Sequence, residues 1–139
     1  MEVGGGLIQK VPIGVKIGLK RPLRGFYEMT TTDLHSLVDF DEKKQMAEEQ
    51  KLEQRLVHEV RKSGGLALKF VSPSYAGMPD RLVLISYGKV GFVEVKVKGK
   101  KPRPLQKRRH DQLAKLGFKV YVLDDENQIG GIIDDIRTT

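Results

Sequence analysis

The stretch Gly77-Met78-Pro79-Asp80-Arg81-Leu82-Val83-Leu84-Ile85, a turn at Tyr87-Gly88-Lys89, and then Val90-Gly91-Phe92-Val93-Glu94-Val95-Lys96 decides how this chain folds. Residues 82–85 are aliphatic throughout, as a buried strand requires. Gly88 stands between two apolar runs, where a hairpin needs a residue tolerant of positive φ. The run 90–97 is therefore read as the antiparallel partner of the first. Side chains alternate along a strand, so Glu94 and Lys96 share one sheet face while Val93, Val95 and Val97 share the other. Asp80, at the start of the preceding strand, can approach the same place.

An acid and a base side by side on a sheet, with a second acid nearby, suit one kind of chemistry. Two carboxylates can hold a hard divalent cation such as Mg²⁺, which prefers oxygen ligands and keeps several waters. Such a cation polarises a phosphoryl oxygen and lowers the pKa of a bound water. A neighbouring lysine can place that water or stabilise charge developing on the phosphate. These are the needs of phosphodiester hydrolysis.

Pro79-Asp80 followed, after residues 81–93, by Glu94-Val95-Lys96 resembles the PD-(D/E)xK signature of restriction-endonuclease-like nucleases. The flanks narrow the resemblance. Gly64-Gly65, Lys69-Phe70-Val71-Ser72-Pro73, Gly77-Met78-Pro79-Asp80-Arg81, Phe92-Val93-Glu94-Val95-Lys96 and Pro104-Leu105-Gln106 look like the VRR-NUC (virus-type replication-repair nuclease) family, in its small stand-alone phage and bacterial form. The resemblance runs from about Lys43 to the C-terminus. It implies an α/β fold, a mixed β-sheet flanked by helices in the order α-β-β-β-α-β-α. It implies Mg²⁺ or Mn²⁺ held by Asp80, Glu94 and the Val95 carbonyl, with Lys96 acting on water or phosphate and Gln106 belonging to the active-site set. It also implies a helical glutamate approaching the metal. Glu53 best matches that residue, with Glu49 one turn earlier as the fallback.

Composition sets outer limits. The 139 residues suffice for one domain with a real core. No stretch approaches the roughly 20 apolar residues of a membrane span, and no secretory signal is evident. Cysteine is absent, which removes disulfides, thiolate metal sites and cysteine nucleophiles, and fits the cytoplasm of a bacterial or phage-infected cell. The net charge of +7 is unevenly placed. Residues 1–42 hold 5 Lys and Arg against 6 Asp and Glu, leaving 20 against 12 for the remainder. Lys69, Lys98, Lys100, Lys101, Arg103, Lys107, Arg108 and Arg109 are the expected DNA-binding residues. All but the first follow the proposed catalytic strand, with no acid from Lys96 to Arg109.

Along the chain, residues 1–42 read as an N-terminal arm that is mobile or packed on a partner. Residues 43–139 read as the nuclease domain. A helix is expected over 43–62, because Leu52, Leu56, Val57 and Val60 fall in one arc. Glu53 lies inside that arc, where a carboxylate needs a partner or a metal. His58 lies opposite and His110 reads as a surface residue. The helix beginning near Pro104 has Leu105, Leu113 and Leu116 as its apolar side, and Gln106 opens it. Lys69 either nears the active site or faces outward. Tyr75, in the loop before Asp80, either stacks on a base or packs. Ile129, Ile132, Ile133 and Ile136 recur at helical spacing and mark a short closing helix.

The leading reading is a metal-dependent, structure-specific DNA endonuclease. Relatives of the stand-alone type look like homodimers that cut four-way junctions, so the resemblance implies Holliday-junction resolution by a homodimer. A flap or general DNA nuclease of the same fold, and a non-catalytic DNA-binding protein, are the alternatives.

Overall fold

A computed structural model describes residues 9–12 and 26–139. Expectations for residues 1–8 and 13–25 lie outside the described residues. The backbone divides into two units, Met1–Met46 and Ala47–Thr139. The first holds a two-stranded antiparallel sheet, β1 (Gln9–Pro12) and β2 (Phe26–Met29), and the opening turns of helix α1 (Thr31–Lys62).

Helix α1 starts twelve residues before the expected position, in the segment read as an arm. The reason is a cap that hydrophobic periodicity does not register. The Thr30 hydroxyl accepts from the Asp33 amide at 3.1 Å, and the Asp33 carboxylate accepts from the Thr30 amide at 3.0 Å. This reciprocal pair satisfies two amides that the first helical turn leaves without partners. Apolar periodicity is weak in the early turns, where Val38, Phe40 and Met46 are exposed and Leu34 and Leu37 are half-buried.

The second unit carries the remaining elements in the expected order: β3 (Leu66–Lys69), β4 (Arg81–Ile85), β5 (Lys89–Val95), α2 (Pro104–Lys115), β6 (Lys119–Leu123), a short 3₁₀ turn (Glu126–Gln128) and α3 (Ile129–Arg137). The four strands form one mixed sheet in the order β3-β4-β5-β6. The first two pairings are antiparallel, and β5 pairs parallel to β6 after the α2 crossover. This is the α/β arrangement expected, a mixed sheet flanked by helices.

One sheet face is the core. Val83, Ile85, Val93, Val95 and Leu123 pack there against Leu56 and Val60 of α1 and the four isoleucines of α3. Each such side chain, when fully buried, contributes roughly 1.5–3 kcal/mol. Alternation then sends Glu94 to the other face, toward α2.

Gly91 lets α3 sit close to β5. A Cβ there would lie 2.4 Å from Ile136 Cδ1 and 2.7 Å from Ile136 Cγ1, and Ile136 is fully buried. Gly91→Ala is therefore expected to lower unfolding free energy by about 1–3 kcal/mol through overpacking. Urea titration measures it, and adding Ile136→Val, which removes Cδ1, should restore part of the loss.

Candidate active site

The three residues of the signature converge where β4 and β5 separate. Glu94 is fully buried on β5. A buried carboxylate costs several kcal/mol unless its oxygens are satisfied. Oε1 is satisfied twice: Gln106 Nε2 donates to it at 2.7 Å and Lys96 Nζ lies 3.3 Å away. Lys96 is itself mostly buried, and its amide donates to the Leu123 carbonyl at 2.9 Å, holding the strand exit beside β6. Oε2 has no hydrogen-bond partner.

Asp80 reaches the site from the start of β4. Its Oδ2 accepts from the Val95 amide at 3.2 Å, giving that buried strand group the partner it needs. Its own carbonyl accepts from the Phe70 amide at 2.8 Å. Burial pushes the Asp80 carboxyl up to about 6, and the adjacent Glu94 charge pushes the same way. Burial also pushes Glu94 up, but His110 and Lys96 outweigh it and hold Glu94 below its ordinary value. In the metal-free pair, Asp80 thus keeps a proton to higher pH while Glu94 carries the negative charge.

Helix α2 closes the site with one stripe of side chains. Gln106, His110 and Leu113 recur at i, i+4 and i+7, and this is the stripe that meets the sheet. It replaces the expected apolar side: Leu113 is buried, but Leu105 and Leu116 are exposed. The reading of His110 as a surface residue is also corrected. Its side chain is 12% exposed, and Nε2 lies 3.9 Å from Glu94 Oε2. That is longer than an ordinary hydrogen bond, so the imidazole acts on Glu94 as a close polar neighbour, and neither atom has a nearer partner. The missed signal was the four-residue step from Gln106. His58, by contrast, is exposed as expected.

Glu53 is the glutamate expected to approach the metal. Its Oε2 accepts from Arg81 Nη2 at 2.7 Å, with both side chains mostly buried. Arg81 alternates onto the face of Val83 and Ile85, which α1 covers, so it meets the core-facing carboxylate there. The need for a partner was legible in the sequence; that the partner is the residue following Asp80 was not. Glu53 remains near enough for its charge to raise Asp80. Glu49 is half-buried.

The basic residues divide into groups. Lys69, Lys100, Lys101, Arg103, Lys107 and Arg108 are exposed. Lys98 is also exposed but pairs with Asp125 at 3.0 Å. Arg109 is half-buried, and its Nε donates to the Ala76 carbonyl at 2.9 Å. A cavity of about 410 Å³ opens beside Lys96, lined also by Lys51, Leu52, Arg55 and Lys98. Lys51 and Arg55 had no place in the sequence reading, because nothing in one dimension puts α1 beside the β5 exit.

A protein of Acyrthosiphon pisum secondary endosymbiont phage 1, described as "Putative nuclease p44", is 53% identical over 79 residues. The alignment spans 57% of this chain and 85% of that one. A solved structure described as "VRR_NUC domain" superposes with a TM-score of 0.59 at 32% identity, covering 63% of this chain and 95% of that one. The chain belongs to the VRR-NUC family. No family model matches it.

The VRR-NUC fold and the likeness to a phage nuclease identify a nuclease. Among the described residues no helix is long and apolar enough to cross a membrane. None of them forms a group of three His, Cys, Asp or Glu side chains able to hold a metal. The donor set is two acids, Asp80 and Glu94. Their repulsion and the unpartnered buried Oε2 nevertheless fit a hard cation that brings its own waters.

The raised Asp80 pKa has a sign. The unfolded chain releases this proton near the ordinary value of 3.8 and the folded chain near 6. Asp80 therefore favours folding at low pH, and that contribution is lost as pH rises from about 4 through about 6. In metal-free protein, Asp80→Asn is expected to raise the thermal midpoint above wild type at pH 8 and to change it much less at pH 4. Paired melting curves in EDTA measure the difference.

Proposed function

We propose that this VRR-NUC chain is a divalent-metal-dependent, structure-specific DNA endonuclease that resolves four-way junctions as a homodimer. The observation that carries the hydrolytic part is the buried Glu94, whose one oxygen is held by Gln106 and Lys96 while the other is unpartnered beside Asp80.

Asp80, Glu94 and the Val95 carbonyl would hold Mg²⁺ or Mn²⁺. Bound there, the ion would supply Lewis-acid polarisation of the phosphate and a water of lowered pKa. The chain's own residues do the rest. Gln106 and Lys96 fix the Glu94 carboxylate in one rotamer, so the charge that receives the cation is already oriented. Lys96, at the edge of the cavity, places the attacking water or meets charge developing on the phosphate. His110 closes the site on the Glu94 Oε2 side as a positioning residue. Glu53 acts through Arg81, anchoring the first residue of β4 next to Asp80.

The exposed cations around residues 98–108, with Lys69 beyond them, supply a sequence-independent attraction for phosphates. The cavity beside Lys96 is mixed in charge, with Glu48, Asp124 and Glu126 lining it beside Lys51 and Arg55, and Arg55 pairs with Glu126 at 3.7 Å, so the attraction rests on the exposed cations. Association of two copies is supported by β3, among the described residues an edge strand paired only with β4, whose Leu66 and Leu68 are exposed. An apolar edge of this kind favours pairing with a second chain. Two active sites related by a two-fold axis then meet the two-fold symmetry of a four-way junction. The likeness to a phage protein supports a cytoplasmic setting.

The deciding assay gives a four-way junction, a flap, linear duplex and single strand to wild type and Lys96→Ala, with Mg²⁺, Mn²⁺ or EDTA. Paired symmetric incisions at the junction, abolished by EDTA and by Lys96→Ala, Asp80→Ala or Glu94→Ala while DNA binding survives, are expected. Preferred cutting of flaps or linear duplex would keep the nuclease and discard the junction. Intact binding with no incision of any substrate would make the chain a non-catalytic DNA-binding protein.

Neutralising Lys107 and Arg108 together is expected to weaken binding and reduce the slope of log K against log salt by about 2, at roughly 0.9 per phosphate contact. Binding titrations across a range of NaCl concentrations read the slope. An unchanged value would remove these two residues from the phosphate-binding set.

A further inference from the structure

Helix α2 carries a second stripe, about 100° round from the one that holds Glu94. Leu105, Arg109 and Gln112 recur at i, i+4 and i+7, and together they grip the loop of residues 72–78. Gly77 adopts φ of +87°, and a Cβ on it would lie 2.8 Å from Leu105 Cγ. The loop therefore lies directly on the helix at this point. Arg109 Nε donates to the Ala76 carbonyl at 2.9 Å. The Tyr75 hydroxyl donates to Gln112 Oε1 at 2.8 Å.

These contacts fix the Tyr75 ring. The Arg109 guanidinium carbon lies 3.9 Å from the ring centroid, stacked over one face. The hydroxyl bond removes the remaining rotational freedom. Tyr75 is nonetheless 41% exposed. An aromatic side chain at the surface, locked in orientation and backed by a cation, has the parts used to stack nucleobases. It stands five residues before Asp80, and its supporting helix is the one that supplies Gln106 and His110 to Glu94.

We propose that Tyr75, backed by Arg109, is a stacking platform for an unpaired nucleobase of the DNA beside the bond to be cut. This rests on the DNA-nuclease reading and adds to it the feature of the substrate that is recognised. A base inside continuous duplex already has both faces covered by its neighbours. Only a base at a branch, a nick or a single-stranded end has a face to offer. The platform therefore discriminates for interrupted DNA and against continuous duplex without reading sequence. It also accounts for Arg109: its cation serves the ring and the loop, while Lys107 and Arg108 remain exposed.

The test uses the full chain in EDTA, so that nothing is cut. One DNA carries 2-aminopurine at unpaired nucleotides next to a branch, and a control carries it within continuous duplex. Wild type is expected to bind both and to quench the fluorophore only at the branch. Tyr75→Leu should lose the quenching and weaken branched-DNA binding by about fivefold or more, with duplex binding nearly unchanged. Tyr75→Phe keeps the ring and should keep most of the quenching, and Tyr75→Trp should match or exceed wild type. Equal weakening of both DNAs by Tyr75→Leu would make Tyr75 a loop anchor and overturn the platform, as would no change with either DNA. If wild type bound neither DNA, the DNA-nuclease reading would fall and the platform with it. If wild type bound both and all three variants behaved alike, the platform alone would fall.

Discussion

A carboxylate fully buried in the middle of a valine-rich strand is the constraint on which the site depends. Glu94 stands between Val93 and Val95, both fully buried against α1 and α3 on the opposite face. Left without partners, its charge would cost several kcal/mol, a large fraction of the stability of a domain this size. The surrounding architecture supplies those partners. Lys96 approaches from the exit of the same strand and Gln106 from the first turn of α2. The crossover that makes β6 parallel to β5 is what brings that first turn over Glu94. Fold and site are thus linked through one side chain.

Helix α2 divides its surface by function. One stripe, Gln106, His110 and Leu113, meets the sheet and the buried acid. The next, Leu105, Arg109 and Gln112, holds the loop that leads to Asp80. The remaining face presents Lys107 and Arg108 to solvent. A helix of twelve residues therefore orients the acid, fixes the approach loop and supplies phosphate-attracting charge at once. Its apolar content is low because only one of those tasks is packing.

The two acids occupy different backbone situations, and this separates their protonation. Glu94 is on a regular strand with a lysine beside it. Asp80 is where β4 begins, bonded to the Val95 amide and facing the charge of Glu94. The opposing shifts leave one negative charge on the pair at mildly acidic pH. Arg81 contributes indirectly, since its ion pair with Glu53 ties the first residue of β4 to α1.

The sequence by itself determined the order of strands and helices, the β4–β5 hairpin and the closing helix, because these rest on local periodicity and turn residues; the mixed sheet was legible only through the resemblance to the VRR-NUC family. Glu94 and Lys96 share a face by alternation alone. Glu53 was marked as a core-facing acid by its helical arc alone. The tertiary structure decided the partners. Arg81 for Glu53, His110 beside Glu94, Arg109 under Tyr75, and Lys51 and Arg55 beside Lys96 each join elements far apart in the chain. The true buried stripe of α2 also had to wait, because its members include Gln106 and His110, and hydrophobicity does not mark a polar residue whose buried partner is an acid on another element. The early start of α1 was local, in the Thr30–Asp33 cap, but it was invisible to a pattern that weighs only apolar residues.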